Sequence, residues 1–121
     1  MIPKSKWVWY GYAGHLIVSK YCAFHLSTRI GNYLVSTVGD YYPPDGGGER
    51  ETIGIGKDHW FETFVFQCDG EDDHGNPFII SFSELWSKRY AKSIDAEQSH
   101  RRICDLVALN DDLKMLEEAL L

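Results

Sequence analysis

Hydrophobic and polar residues alternate from Cys22 to Asp40, CAFHLSTRIGNYLVSTVGD, and the pattern folds back across Gly31-Asn32. Two alternating runs joined by a two-residue Gly/Asn turn predict a β-hairpin. Alternation puts Cys22, Phe24, Leu26, Thr28 and Ile30 on one face and His25, Ser27 and Arg29 on the other. Pairing Ile30 with Tyr33 then sets Arg29, Ser27 and His25 opposite Leu34, Ser36 and Val38. A solvated face would carry Lys, Glu and Thr. An arginine, a histidine and hydroxyls among apolar residues read instead as a recognition surface.

The flanking patterns extend this hairpin into a sheet. Residues 6–20 hold WVWYGYA and HLIVS, one or two strands with a bend or bulge at Gly11 and Gly14. Tyr42 to Glu51, with its two prolines and three consecutive glycines, is the clearest loop. Trp60 to Cys68 is bulky on both faces, as a central strand is. Asp69 to Pro77 is an acidic turn, 78–82 a further strand, and 83–86 a loop or short helical turn.

From Ser93 the period becomes helical. Asp95 stands as N-cap with Gln98 at the capping-box position, and Ile103, Cys104 and Val107 form the apolar face. Asn110 interrupts that helix, and Leu113, Leu116 and Leu120 mark a second, short one. The expected architecture is α+β, a single domain over 1–121. An antiparallel sheet of about five strands would cover 6–82, with one or two C-terminal helices over 94–121.

Composition narrows the function classes. With 121 residues, 44% hydrophobic and 14% aromatic, the chain can bury a core. A net charge of −6 without a polybasic run argues against duplex nucleic acid or an anionic membrane surface as main partner. A small anionic ligand needs only two or three cations and remains compatible. The three cysteines lack metal or CxxC spacing and read as buried, reduced thiols of a cytosolic protein. No metal or other cofactor is expected. The N-terminal apolar stretch, broken by Gly14, His15 and Ser19, predicts neither a signal peptide nor a spanning helix.

Several residues carry candidate chemistry. Glu62, inside WFETFVF, is a carboxylate that needs a cation or hydrogen bonds, with Arg29 or a ligand ribose hydroxyl as the expected partner. His25 with Asp40 or Glu62 could serve as base and orienter for Ser27, Ser36 or Thr37, yet no nucleophile elbow accompanies them. The glycines at 46–48 and 54–56 complete no phosphate-loop motif. His100-Arg101-Arg102 is the densest cationic spot; its two guanidinium forks suit phosphate oxygens, or pair with Glu97 one turn back. Trp60, Phe61, Phe82 and Trp86 read mostly as core, though one exposed ring among them beside an arginine would stack a base.

Residues Cys22–Pro43 with VSTVGDY, Ile53–Phe66 with ETFVF, and Ala96–Leu106 together resemble a family of small phage and prophage proteins. That family resembles, in turn, the first Thoeris anti-defence family. The resemblance implies a non-catalytic sponge in the host cytoplasm. Such a protein binds the cyclic ADP-ribose isomer made by a bacterial TIR-domain immune enzyme, and assembles as a homo-oligomer, a dimer or hexamer. Under it, the expected ligand-binding set is Arg29, His25, Glu62, Phe82, Arg101 and Arg102, with no catalytic residue. Two other readings of the residues stand beside it. One is an inhibitor of a host defence complex whose DGEDD run imitates nucleic acid; the other is a small hydrolase built on His25 and Glu62.

Overall fold

The computed structural model, described over residues 1–10, 20–53, 56–80 and 86–110, has an α+β fold: a curled antiparallel sheet with one helix after it. A 3-10 turn at Lys4–Lys6 precedes β1 (Val8–Tyr10). Then follow β2 (Cys22–Ile30), β3 (Tyr33–Tyr41), β4 (Phe61–Glu71), β5 (Pro77–Ile79), β6 (Trp86–Tyr90) and helix α1 (Ser93–Leu109). Strands β1 to β4 are neighbours in chain order, and β4 takes two partners on its far side. β6 pairs with Phe61–Val65 and β5 with the stretch from Cys68 to Glu71. The bulky residues on both faces of β4 thus do mark a central strand. The second helix expected at 111–121 lies outside the described residues.

The hairpin of β2 and β3 has the register that alternation predicts: Ile30 faces Tyr33, Arg29 faces Leu34, Ser27 faces Ser36 and His25 faces Val38. Gly31 occupies the first turn position at φ +61°, a left-handed value that glycine adopts without strain. A Cβ there would also lie 2.7 Å from the Ile2 side chain, so the site needs glycine twice over. On β3, Gly39 sits opposite Phe61 of β4, whose ring lies across the space a side chain would fill. A Cβ on Gly39 would stand 1.9 Å from that ring. Gly39→Ala is therefore expected to cost about 1–3 kcal/mol through overpacking, read as a lower urea midpoint, with Phe61→Leu in the same chain restoring part of it.

One sheet face packs on α1. Ile30, Tyr33, Val35 and Val65 meet Ile103, Cys104, Val107 and Ala108 in a single apolar cluster, with Trp7 and Trp86 at its edge. Beside it Phe61, Tyr90 and Ala96 form a second cluster that seats the first turns of the helix. The helix begins at Ser93, with Lys92 as N-cap and no side-chain capping bond. Asp95 is thus in the first turn and not the cap. Tertiary packing decides this: Ala96 is wholly buried against the sheet and its N–H already donates to the Lys92 carbonyl at 3.1 Å. Asn110 ends the helix as expected, its amide Nδ2 donating to the Leu106 carbonyl at 2.8 Å.

The opposite face, carrying His25, Ser27 and Arg29, is covered. Ser27 and Ser36 are each 1% exposed, and His25 and Arg29 are half-buried. The polar hairpin face is therefore an interior layer, not an open recognition surface. Central strands of a sheet whose two faces are both covered leave no wide polar face in solvent.

Candidate functional site

The loop or short helical turn expected at 83–86 overlaps β6 only at Trp86; β6 is an edge strand, and it brings two cations to the sheet. Lys and Arg on an edge are a common device against edge-to-edge pairing. Here Lys88 faces helix α1 across a groove of about 480 Å³, whereas alternation along β6 turns the Arg89 side chain to the other sheet face. The helix contributes Asp95, Gln98, Ser99 and Arg102, positions three and four apart that form one stripe. Tyr90 and Ser99 close the two walls with a hydroxyl–hydroxyl hydrogen bond. Two cations, Lys88 and Arg102, thus converge on one open groove beside Asp95.

The β6 wall is held from behind. Glu62, on β4, is 3% exposed, and its Oε2 accepts from Arg89 Nε at 2.8 Å. The buried carboxylate therefore pairs with Arg89 and not with Arg29. The register explains it, because Glu62 lies directly opposite Arg89, whereas Arg29 sits two strands away opposite Leu34 and Val8. Arg29 is instead near Tyr10 and Cys68, where its charge favours the ionised forms. Tyr10 is nevertheless pushed up to about 12, by burial first and by its hydrogen bond to Glu71 second.

Of the adjacent pair on α1, only Arg102 lines the groove. Arg101 points along the exposed helix flank toward Glu97, 3.5 Å away one turn back. His100 belongs to neither group. It is fully buried between helix and sheet, with Nε2 2.9 Å from Thr28 Oγ1 and Nδ1 2.7 Å from Thr37 Oγ1. Thr37 in turn shares a 2.6 Å hydrogen bond with Thr63, and the Cys104 thiol bonds to Thr28. Burial, then the nearby Arg101 charge, pull the imidazole down to about 4, so it is neutral at physiological pH. The expected cationic triplet is thus one buried neutral pin, one flank arginine and one groove arginine.

His25 and Glu62 lie on the same sheet face, but Val38 of β3 stands between them in the register, two strands or about 10 Å apart in backbone. Phe82 lies outside the described residues. The three thiols are all buried and burial raises each: Cys22 and Cys68 to about 11, Cys104 to about 12. No group of three metal-ligating side chains occurs among the described residues. Nor, among them, is any helix long and apolar enough to cross a membrane.

Sequence reasoning missed Lys88 and Arg89 because Ser87-Lys88-Arg89 shows no apolar alternation. The available signal was Trp86 and Tyr90, β-formers four residues apart that frame a basic pair. A loop at 42–50 borders the same end of the sheet. Its root is tied by Arg50, which bonds Asp40 at 2.8 Å and lies 4.4 Å over the Trp60 ring. No protein-family model matches this chain, and neither does any curated protein or any solved structure.

Proposed function

We propose that the protein is a non-catalytic sponge for an anionic nucleotide signal, which it holds in the groove between β6 and α1 in the cytoplasm of a phage's host. By the resemblance of its hairpin and ETFVF strings, that signal is a cyclic ADP-ribose isomer. The observation that carries the reading is the convergence of Lys88 and Arg102 on one groove in a chain of net charge −6. The groove volume, about 480 Å³, lies within the range of roughly 300–1,000 Å³ usual for small-molecule sites. Arg102 offers a planar fork to phosphate oxygens and Lys88 a mobile point charge. Asp95 on the rim is an acceptor for ribose hydroxyls.

A sponge needs affinity and slow release rather than transition-state stabilisation. The buried thiols are kept protonated, and His100 is bonded at both ring nitrogens. Neither is poised as nucleophile or base.

The test is to incubate the protein with a TIR-derived cyclic ADP-ribose, remove free ligand, denature the protein and chromatograph what is released. Intact nucleotide is expected. Arg102→Glu should weaken retention at least about tenfold, the value of one charge-assisted hydrogen bond, while Arg101→Glu leaves it unchanged. Chemically altered nucleotide would establish an enzyme instead. No depletion of free ligand would end the sponge reading.

A further inference from the structure

The groove has two chemically different ends, and the packing of α1 on β6 sets them apart. Helix and strand run antiparallel. Tyr90, at the C-terminal end of β6, shares a cluster with Ala96 and bonds Ser99, whereas Trp86, at the start of the strand, lies against the cluster of Ile103 and Val107. From the Tyr90–Ser99 contact, Lys88 lies two residues back along β6, about 7 Å, and Arg102 three residues on along α1, about 4.5 Å. Both steps lead the same way, so the two cations share one end of the groove. Asp95 lies four residues the other way, about 6 Å, and Ala91 is on that side too.

Asp95 and Arg102 thus stand two turns apart on one stripe of α1, with about 10 Å of helix axis between them. Asp95 is exposed in the first turn, where the helix dipole favours an acid. It forms no ion pair with another described residue. Toward a bare phosphate held by Lys88 and Arg102, its charge is only repulsive. Toward a ligand whose hydroxyl groups reach it, the carboxylate is a strong acceptor. Dinucleotide-binding folds use one acidic side chain in this way, on a ribose 2′-hydroxyl.

Resting on the nucleotide reading above, we propose that the groove selects for ribose: Lys88 and Arg102 hold a 5′-diphosphate at one end, and Asp95 accepts hydrogen bonds from the ribose hydroxyls at the other. Affinity then comes from the cationic end and selectivity from the acidic one. A diphosphate whose sugar lacks hydroxyls gains only the first contact and meets the Asp95 charge uncompensated. Dideoxynucleotides are therefore rejected although they carry the same phosphates, because a site built to bond a hydroxyl discriminates against the analogue without it.

Titration calorimetry with adenosine 5′-diphosphate, its 2′,3′-dideoxy analogue and inorganic pyrophosphate tests the proposal. Wild type should hold the ribonucleotide at least about tenfold more tightly than the dideoxy form. Asp95→Ala should erase that preference yet bind pyrophosphate about twofold more tightly at low salt, because a nearby like charge is gone. A merely structural loss would weaken every ligand together. Glu97→Ala removes another exposed carboxylate, the one beside Arg101 on the helix flank, and should leave the preference intact. Equal affinity for the two nucleotides overturns the proposal, as does no binding of adenosine 5′-diphosphate at all. So does a preference that survives Asp95→Ala or disappears in Glu97→Ala, or pyrophosphate binding that weakens in Asp95→Ala. Retention of the TIR-derived cyclic ADP-ribose without the ribonucleotide preference would fault the ribose contact alone; the preference without that retention would fault the sponge reading alone.

Discussion

Arg89→Ala is expected to destabilise the protein by about 2–3 kcal/mol, more than the loss of either groove cation, Lys88 or Arg102. Removing the guanidinium deprives the carboxylate of Glu62 of its cation in a place where the side chain is 4% exposed. Breaking a buried ion pair from one side typically costs about 3–5 kcal/mol, and the partial exposure of Arg89 places this pair at or below the lower end. The cost lies mainly in the stranded charge, so neutralising it should recover much of the loss. Glu62→Gln in the Arg89→Ala chain should unfold at a higher urea concentration than Arg89→Ala alone. Arg102→Glu, with no buried partner behind it, should leave the midpoint within about 0.5 kcal/mol of wild type. An Arg89→Ala midpoint equal to wild type would show that Glu62 is satisfied without its arginine.

His100 should make the fold acid-sensitive well above the range where carboxylates titrate. In the folded state its pKa is about 4, below the ordinary 6.5. Above pH 6.5 the imidazole is neutral in both states and contributes no pH dependence. As pH falls below 6.5 the unfolded chain takes up a proton that the folded chain refuses, so stability falls with pH down to about 4. The full effect is about 3 kcal/mol, and it vanishes when the group cannot ionise. His100→Gln should therefore be less stable than wild type at pH 7, because one amide cannot bridge Thr28 and Thr37 as the imidazole does. The gap between the two should narrow steadily toward pH 4. Parallel urea-midpoint curves for the two chains across that window would contradict the assignment. The same pin sets the roll of α1 on the sheet, and with it the direction in which Ser99 and Arg102 point.

What was legible in the sequence was local. The β2–β3 register follows from a period of two interrupted by Gly31-Asn32, both of which are read within twenty residues. The centrality of β4 follows from bulky side chains at successive positions, since a strand with one wet face would have placed polar residues at every second one. Asn110 ends the helix through its own backbone and side-chain bonds to Leu106, again a local matter.

The site was less legible, because each of its parts depends on a pairing distant in sequence. Arg89 is 27 residues from the carboxylate it holds, and only the β4–β6 register makes them neighbours. Ser87-Lys88-Arg89 becomes a strand because β4 offers it an unpaired edge, which no local propensity announces. His100 and Arg102 are two residues apart on one helix, yet one is buried and the other solvated; the rotation of α1 on the sheet separates them.

The sequence by itself therefore determined the α+β class, the hairpin and its two faces, the central strand and the end of the helix, all consequences of periodicity and turn chemistry within short windows. The tertiary structure alone decided which charges meet. It turned the polar hairpin face inward, gave Glu62 to Arg89, withdrew His100 into the core and left Lys88 and Arg102 around one groove. A carboxylate finds its cation across strands in space, and sequence distance carries no record of that proximity.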